Sequence, residues 1–262
     1  MKKDILQEIV AHKRIEIVRQ KEAVPELELE RKLEELAPCR SMKQALASSP
    51  HGIIAEFKRR SPSAGWIHQN GNASVIPASY QQAGAAALSI LTDNAFFGGT
   101  IKDLMDARET VNIPILRKEF IVDRYQLLQA KLAGADAILL IAAVLSPKEC
   151  ITLSRQAHEL NLEVLLEVHD ETELEYINEC TDMVGVNNRN LGTFHTDTQN
   201  SFRLAEKLHT DLLKVSESGI SSPEAIRQLR RAGYRGFLIG ETFMKTENPG
   251  NTLAEFINSL AL

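Results

Sequence analysis

Residues 131–141 read KLAGADAILLI, and the stretches 81–91 (QQAGAAALSIL) and 230–240 (RRAGYRGFLIG) repeat nearly the same wording. Each stretch passes from an amphipathic segment through Ala-Gly into an apolar run. Glycine is common just after a helix because it adopts the left-handed backbone conformation at little cost. We therefore interpret the phrase as a repeated helix-to-strand junction.

Apolar runs of this kind recur after position 50, each preceded by an amphipathic stretch. Their spacing of roughly 20 to 35 residues is that of one strand plus one helix. The runs are continuous rather than alternating, which is typical of parallel strands buried on both faces. There are eight of them: 53–57, 86–92, 114–119, 136–142, 163–168, 183–187, 213–218 and 236–240. We predict an α/β fold, a (β/α)8 TIM barrel. An open doubly wound sheet is the alternative, and the lack of a glycine-rich fingerprint after the first strand disfavours it.

The segment before the first strand is charged and has a helical pattern. We predict one helix that ends before Pro25, a second from Leu27 to Leu36 and a short third one capped by Ser41. We expect one domain over residues 1–262, with 1–49 as the helical N-terminal extension of the barrel.

Composition limits the classes of function. A chain of 262 residues with 44% hydrophobic residues can bury a large core. Its net charge of -5 argues against nucleic acid and anionic membranes as partners. Three cysteines without a C-x-x-C motif suggest neither a disulfide framework nor a zinc site. The N-terminus does not read as a secretory signal, and the longest apolar run is shorter than the ~20 residues of a membrane span. We expect a cytoplasmic protein.

Polar side chains collect where the predicted strands end. Active sites of (β/α)8 barrels are built at the carboxyl ends of the strands. Five strands end in such residues: Glu56 and Lys58; Arg117, Lys118 and Glu119; Glu167 and His169; Asn187, Asn188 and Arg189; Ser216, Glu217 and Ser218. Charges held close together in a low dielectric shift each other's pKa values. We predict that these side chains converge on one functional opening.

The last two strands each end at a glycine. Gly219 and Gly240 would let backbone N–H groups approach a ligand without an intervening side chain. The loops after strands seven and eight are the usual phosphate site of such barrels. We therefore predict a phosphate pocket there.

Three other features bear on metal binding, nucleophilic catalysis and aromatic stacking. Glu167 and His169 share a strand face but lack a third metal ligand at a recognisable spacing, so we predict no metal site. Ser218 is not in a nucleophile-elbow motif. Trp66 could stack on an aromatic substrate or serve packing. The residues alone indicate acid–base chemistry on a phosphorylated metabolite, by an isomerase, a lyase or a synthase.

Five motifs carry a resemblance to one family. They are EFKRRSPS (56–63), ILRKEFIVD (115–123), GADAILLI (134–141), GVNNRNL (185–191) and VSESGI (215–220). In order and spacing this set resembles the motifs of the indole-3-glycerol-phosphate synthases, and the likeness covers nearly the whole chain.

The resemblance implies a (β/α)8 enzyme that closes the indole ring of tryptophan biosynthesis. The family's substrate, 1-(2-carboxyphenylamino)-1-deoxyribulose 5-phosphate, loses carbon dioxide and water without a metal or organic cofactor. Lys118 would be the general acid and Glu167 the general acid–base of dehydration. Lys58 would hold the anionic groups of the substrate, and Glu56 would orient Lys58. The remaining implied residues are Asn187 and Ser218 in the catalytic set, Ser61, Arg189 and Glu217 as substrate contacts, and Gly219, Gly240 and the Glu241 backbone at the phosphate. We expect a monomer whose partner is this small phosphorylated molecule.

Two alternatives stay open. The chain could be another phosphate-binding barrel, such as phosphoribosylanthranilate isomerase or the tryptophan synthase alpha subunit, or a barrel that binds a phosphorylated metabolite without catalysis. The chain also departs from the family's common wording at Ala64, at residues 71–75 and at Glu119. We expect these departures to affect affinity and loop motion rather than the reaction.

Overall fold

The computed structural model of the protein describes residues 5–33, 38–190, 195–208 and 211–260. Its centre is a closed barrel of eight parallel strands, in which each strand pairs with the next along the chain and the last pairs with the first. The strands are β1 (Ile53–Phe57), β2 (Ala87–Leu91), β3 (Ile115–Lys118), β4 (Ala137–Ile141), β5 (Glu163–Val168), β6 (Met183–Asn187), β7 (Leu213–Glu217) and β8 (Gly236–Ile239). The predicted (β/α)8 fold and all eight predicted strands are confirmed.

Helices precede the barrel and alternate with its strands. They are α1 (Ile5–Ala23), α2 (Glu26–Arg31), α3 (Met42–Ser48), α4 (Ile76–Gln82), α5 (Ile101–Thr110), α6 (Arg124–Leu132), α7 (Pro147–Glu159), α8 (Gln199–Ala205), α9 (Pro223–Arg231), α10 (Glu241–Met244) and α11 (Pro249–Leu260). Two 3₁₀ turns, Ala142–Val144 and Thr172–Tyr176, follow β4 and β5. Helices α5, α6 and α7 begin with capping boxes at Thr100, Asp123 and Ser146. In each box the cap side chain accepts a hydrogen bond from the backbone N–H three residues on, and the side chain of that residue accepts one from the N–H of the cap.

The repeated Ala-Gly junction behaves as predicted. Gly84, Gly134 and Gly233 have φ values of 99°, 86° and 94°, in the left-handed region. At each of the three, a helix ends and a barrel strand begins within three residues. The sequence repeat is therefore a structural one.

The core has two layers because alternate residues of each strand face opposite sides. Residues such as Ile53, Ile115 and Leu140 pack against the helices. Residues such as Leu116, Leu165 and Met183 fill the barrel interior. This packing leaves open space toward the carboxyl ends of the strands.

The N-terminal helices pack against the barrel. Helix α1 ends before Pro25, as predicted, and buries Ile9 and Ile17. Helix α3 places Met42 and Leu46, both fully buried, in the interior cluster, and Ser41 accepts a hydrogen bond from the backbone of Gln44 as its predicted cap.

The second predicted helix is shorter than expected. Helix α2 ends at Arg31, after which Lys32 and Leu33 form hydrogen bonds to carbonyls three residues back. The chain therefore leaves the α-helix through a tighter turn. Leu36, the predicted end of the helix, and Leu191 of the sixth strand's motif lie outside the described residues. Among the described helices, none combines the length and the apolar composition that crossing a membrane requires.

Candidate active site

A cavity of about 360 Å³ opens at the carboxyl end of the barrel, and all eight strands or the loops that follow them contribute to its walls. Every site residue predicted from the sequence lines it. They are Glu56, Lys58, Ser61, Lys118, Glu167, Asn187, Arg189, Glu217, Ser218, Gly219, Gly240 and Glu241. The structure therefore brings together residues that are far apart in the chain, from Glu56 on the first strand to Glu241 after the last.

Not all of the polar strand ends point into this cavity. Arg117 instead donates hydrogen bonds to the carbonyl of Gln126 at 2.6 Å and to Thr92, on the helix side of the sheet. Asn188 and Ser216 form a buried network with Ser201 on that same side. The prediction that all five ends converge completely was wrong for these residues, because neighbours along a strand face opposite ways.

Lys118 lies at the centre of the charged residues. Its Nζ is 3.0 Å from Oε2 of Glu167 and 3.2 Å from Oε2 of Glu217. Burial alone would lower the pKa of Lys118, but the surrounding carboxylates, led by Glu167, raise it well above its ordinary value. The side chain is therefore an ammonium group, and it donates a hydrogen bond to Glu167.

The two glutamates that share Lys118 differ in proton affinity. Burial would raise the pKa of Glu167, but Lys118 and His169 hold it well below its usual range. Burial raises the pKa of Glu217 to about 7, and the opposing effect of Lys118 is offset by the charge of Glu167. Carboxyl groups whose environments separate their pKa values are a common basis for acid and base roles.

Glu56 and Lys58 form a second charged pair in the cavity. The Lys58 ammonium donates a hydrogen bond to Oε1 of Glu56, whose side chain is almost fully buried. The prediction that the two side chains share a face is confirmed. Both signs of charge thus face the cavity next to β1.

Two glycines make room for the carboxylates. A β-carbon at Gly185 would overlap Oε1 of Glu217, and one at Gly240 would overlap Oε1 of Glu56. The sequence predicts Gly240 only as a phosphate contact and places Gly185 in a motif without assigning it a role. A glycine inside a strand is the available signal, because it often marks a close approach of another group.

The loops after β7 and β8, for which the sequence predicts a phosphate pocket, line one side of the cavity. Ser218 and Gly219 have φ values of 66° and 77°, so two consecutive residues adopt the left-handed conformation as the chain leaves β7. The wall also carries Ser221, Thr242 and Lys245, which the sequence analysis did not identify. Hydroxyl and ammonium groups beside backbone N–H groups suit a phosphoryl oxygen.

Arg189 connects three loops at the rim. Its guanidinium donates a hydrogen bond to Ser63, in the loop after β1, and lies 3.4 Å from the carboxylate of Glu241, after β8. The loop after β1 forms a small hairpin from Arg60–Ser61 and Gly65–Trp66. The Arg60 guanidinium lies over the ring of Trp66, 5.6 Å from its centroid, and the Trp66 side chain is half exposed.

One wall of the cavity is apolar. Phe97 and Phe120, from the loops after β2 and β3, lie with ring centroids 5.9 Å apart. Pro62, Leu139 and Ile141 extend this wall. A planar apolar group fits such a surface.

The structure does not assemble Glu167 and His169 into a metal centre. The two side chains pair with each other, with Oε1 of Glu167 and Nε2 of His169 3.3 Å apart. Within residues 5–33, 38–190, 195–208 and 211–260, no group of three or more His, Cys, Asp or Glu side chains is placed to hold a metal ion.

A family model and the similar proteins all indicate the same family over nearly the full length of the chain. The family model described as indole-3-glycerol phosphate synthase matches residues 6–256. The indole-3-glycerol phosphate synthase of Bacteroides thetaiotaomicron is 60% identical over 258 residues, covering 98% of this chain and 99% of that protein. The protein of the same name from Rhodopirellula baltica is 43% identical over 252 residues, covering 95% and 96%.

Among solved structures, the tryptophan synthase alpha subunit of Legionella pneumophila superposes with a TM-score of 0.63 at 15% identity. The match covers 86% of this chain and 97% of that one. At this identity the likeness concerns the barrel fold alone.

Proposed function

Because the chain belongs to the indole-3-glycerol phosphate synthase family, we infer that the cavity at the carboxyl end of its barrel is the active site of this synthase. The enzyme is a decarboxylating lyase of tryptophan biosynthesis. The observation that best supports the site is the Lys118 ammonium, held between Glu167 and Glu217 inside a cavity that also offers an apolar wall. A simple binding pocket would not require a proton donor between two carboxyl groups of different proton affinity.

The walls of the cavity suit the parts of 1-(2-carboxyphenylamino)-1-deoxyribulose 5-phosphate. Its aryl ring would lie on Phe97 and Phe120, and its phosphate would lie along Gly219 and Gly240. Lys58 would pair with the aryl carboxylate at the opposite wall. Holding both ends of the substrate brings the ring carbon close to the ketone carbon, and such positioning supplies a large part of the rate enhancement in ring closures.

Lys118 would start the chemistry. As the ring carbon that bears the carboxylate attacks the ketone carbon, the ketone oxygen gains negative charge and takes a proton from the Lys118 ammonium. The carbon–carbon bond to the carboxylate then breaks, carbon dioxide leaves, and its electron pair restores the aromatic ring. A preplaced cation stabilises the charge at the oxygen where it develops.

Glu167 would act in the dehydration. The new hydroxyl group leaves as water while the neighbouring carbon loses a proton, which forms the double bond of the indole. Glu167 is ionised, so it can accept that proton from carbon and deliver it to the departing hydroxyl group, which leaves as water. Lys118, 3.0 Å from Glu167, regains from solvent the proton that it gave to the ketone oxygen. Asn187 and Ser218 would hold the hydroxyl groups of the sugar-derived chain, and Ser61, Arg189 and Glu241 would complete the rim.

The remaining expectations are part of the proposal. We propose that residues 1–262 form one domain with 1–49 as its extension, and that the enzyme works as a cytoplasmic monomer without metal or organic cofactor. The packing of α1 and α3 against the barrel supports the single domain.

The test is a turnover assay with the purified protein, the substrate and EDTA, in which indole fluorescence reports product. We expect product from the wild type and from Lys102→Met, because Lys102 is exposed on α5 and pairs only with Asp106 among the contacts described for it. Lys118→Met should give almost none. A wild-type protein that binds the substrate without forming the fluorescent product would contradict the proposed function.

A further inference from the structure

His169 lies between two carboxylates. Its Nε2 is 3.3 Å from Oε1 of Glu167, and its Nδ1 is 3.2 Å from Oε2 of Glu173, a residue of the 3₁₀ turn after β5. The imidazole is largely buried, with 14% of its side-chain surface exposed. Both ring nitrogens therefore face a carboxylate oxygen.

The backbone around His169 is fixed on both sides. Its N–H donates to Oε2 of Glu173 at 2.6 Å, and its carbonyl accepts a hydrogen bond from the side chain of Asn200 at 2.9 Å. The carboxylate of Asp170 accepts hydrogen bonds from the backbone and the hydroxyl of Thr172, which holds the start of the turn. These contacts fix the backbone that carries the ring and hold Glu173 next to it.

This position favours the imidazolium form. A neutral histidine has one donor nitrogen and one acceptor nitrogen, whereas the cation donates from both. Burial would lower the pKa of His169, but Glu167 and Glu173 together raise it to about 10. The ring therefore carries a positive charge at neutral pH.

The charged groups around His169 and Glu167 are each paired with a group of opposite charge. Glu167 faces both Lys118 and His169, and Glu217 of β7 lies on the other side of Lys118. On the other side of His169, beyond Asp170, Arg203 pairs with Asp197 at 3.0 Å. In that same neighbourhood Lys207 pairs with Glu171 at 3.4 Å.

The cation makes the two glutamates unequal. Glu167 has two positive partners, Lys118 and His169, whereas the described ion pairs of Glu217 contain Lys118 alone. Without the charge of His169, the two carboxylates would compete on similar terms for one ammonium, and the proton shared between them could reside on either. With it, the ionised form is favoured at Glu167 and the protonated form at Glu217.

We propose that His169 is a positioning residue of the synthase, whose imidazolium, held by Glu173, keeps the Glu167 carboxylate ionised and directed at Lys118. The inference rests on the proposed role of Glu167 in the reaction. It assigns no contact between His169 and substrate.

The first test compares the pH dependence of kcat in three proteins. Loss of the cation in His169→Asn raises the pKa of Glu167. We therefore expect kcat of the variant to fall further below that of wild type as the pH falls. The ratio of the two kcat values should change roughly tenfold for each unit by which the pKa of Glu167 exceeds the assay pH. The deficit should shrink as the pH rises toward 9. His158→Asn is the matched control, because His158 also pairs with a carboxylate, Asp182 at 2.9 Å, but lies on α7 away from the cavity. We expect its profile to match the wild type.

A deficit in His169→Asn that is the same at every pH, or an equal shift in His158→Asn, would overturn the proposal. The second test needs no activity: nitrogen NMR of histidine-labelled wild type follows the protonation of its seven histidines. We expect one ring to keep both protons at pH 8.5 and to lose one at a lower pH in Glu173→Gln. If all seven rings have lost their second proton by pH 8, the inference fails even though the synthase is active. An inactive wild type that retains this ring would contradict the proposed function alone.

Discussion

The carboxylate of Glu217 fills the space beside Gly185 that a side chain at position 185 would need, because a β-carbon there would overlap Oε1 of Glu217. Gly185 pairs in register with Glu167 on one side and with Val215 on the other, so it lies between the strands that carry the two glutamates. The missing side chain of β6 is what allows the Glu217 carboxylate to reach Lys118. A position of β6 that has no side chain thus shapes the acid–base group.

Gly185→Ala should therefore displace Glu217 and lower kcat. Adding a methyl group to a packed position typically costs ~1–3 kcal/mol, and here it would also move a carboxylate that contacts Lys118. Gly236→Ala is the matched control, since its β-carbon would meet Val215 and Leu46 at the opposite end of the barrel. We expect thermal unfolding to show a loss of stability in both variants and steady-state kinetics to show a loss of kcat in Gly185→Ala alone. Equal kcat values in the two variants would contradict this account.

Lys118→Met should reduce kcat by roughly 10²- to 10⁴-fold, the usual contribution of a general acid. Substrate should still bind, because the apolar wall and the phosphate loops are unchanged. Lys118→Arg retains a charge between Glu167 and Glu217 but cannot release a proton readily. We therefore expect Lys118→Arg to restore thermal stability relative to Lys118→Met and to remain nearly inactive. Substantial turnover by either variant would exclude Lys118 as the acid.

Glu217 should make the stability of the protein depend on pH. Its pKa is raised to about 7 in the folded state, from 4.5, so the folded protein binds a proton more tightly than the unfolded chain between these values. This group contributes a loss of stability as the pH rises from 4.5 to 7. Glu217→Gln removes that loss, so the Tm of the variant relative to wild type should increase over this range. A gain of ~1 kcal/mol corresponds to roughly 2–4 °C. A Tm difference that is constant from pH 4.5 to 8 would contradict the raised pKa.

The side chain of Glu241 should matter much less than the glycine before it. Glu241 is about half exposed and lies 3.4 Å from Arg189, whereas a β-carbon at Gly240 would displace the buried carboxylate of Glu56. We expect Glu241→Gln to change kcat/KM by less than about threefold, as an exposed ion pair contributes ~0–1 kcal/mol. Gly240→Ala should lower kcat/KM by a much larger factor. If the two kcat/KM values fell equally, the Glu241 side chain would have a role beyond its backbone.

The barrel could be predicted from sequence because its signals are local. The Ala-Gly junctions and the continuous apolar runs each depend on a few adjacent residues, and all eight strands appeared where these signals placed them. The polar strand ends were less predictable. Lys118 faces the cavity and Arg117 faces α6. The residue pattern alone does not predict which of these two adjacent cations points into the barrel.

Contacts between separate loops could not be predicted at all. Phe97 and Phe120 form one apolar wall only because β2 and β3 are neighbours and their loops fold toward each other. Gly185 gave a signal, an isolated glycine in a strand, but its purpose depends on where Glu217 lies. The family resemblance identified the charged residues of the site, whereas the space that they need became visible only in three dimensions.

The buried Lys13 of α1 links the N-terminal extension to the loops of the active site. Its Nζ lies 2.8 Å from Glu16, 3.0 Å from Asp93 after β2 and 3.2 Å from Glu119, the residue after Lys118. Burial would lower the pKa of Lys13, but these carboxylates raise it above its ordinary value. The ammonium therefore neutralises carboxylates of two loops that also carry the aromatic wall.

Lys13→Met should destabilise the protein by ~3–5 kcal/mol, since it leaves Asp93 buried without its cation and Glu119 with only the more distant Arg117, 3.7 Å away. Thermal unfolding should then show a Tm lower by roughly 10 °C. Lys102→Met is the matched control, because Lys102 is 76% exposed in its pair with Asp106 and its loss should cost at most ~1 kcal/mol. Asp93→Asn and Glu119→Gln added to Lys13→Met should recover part of the loss, because they remove the uncompensated charges. A Tm for Lys13→Met equal to that of Lys102→Met would show that the charges of these loops are balanced without α1.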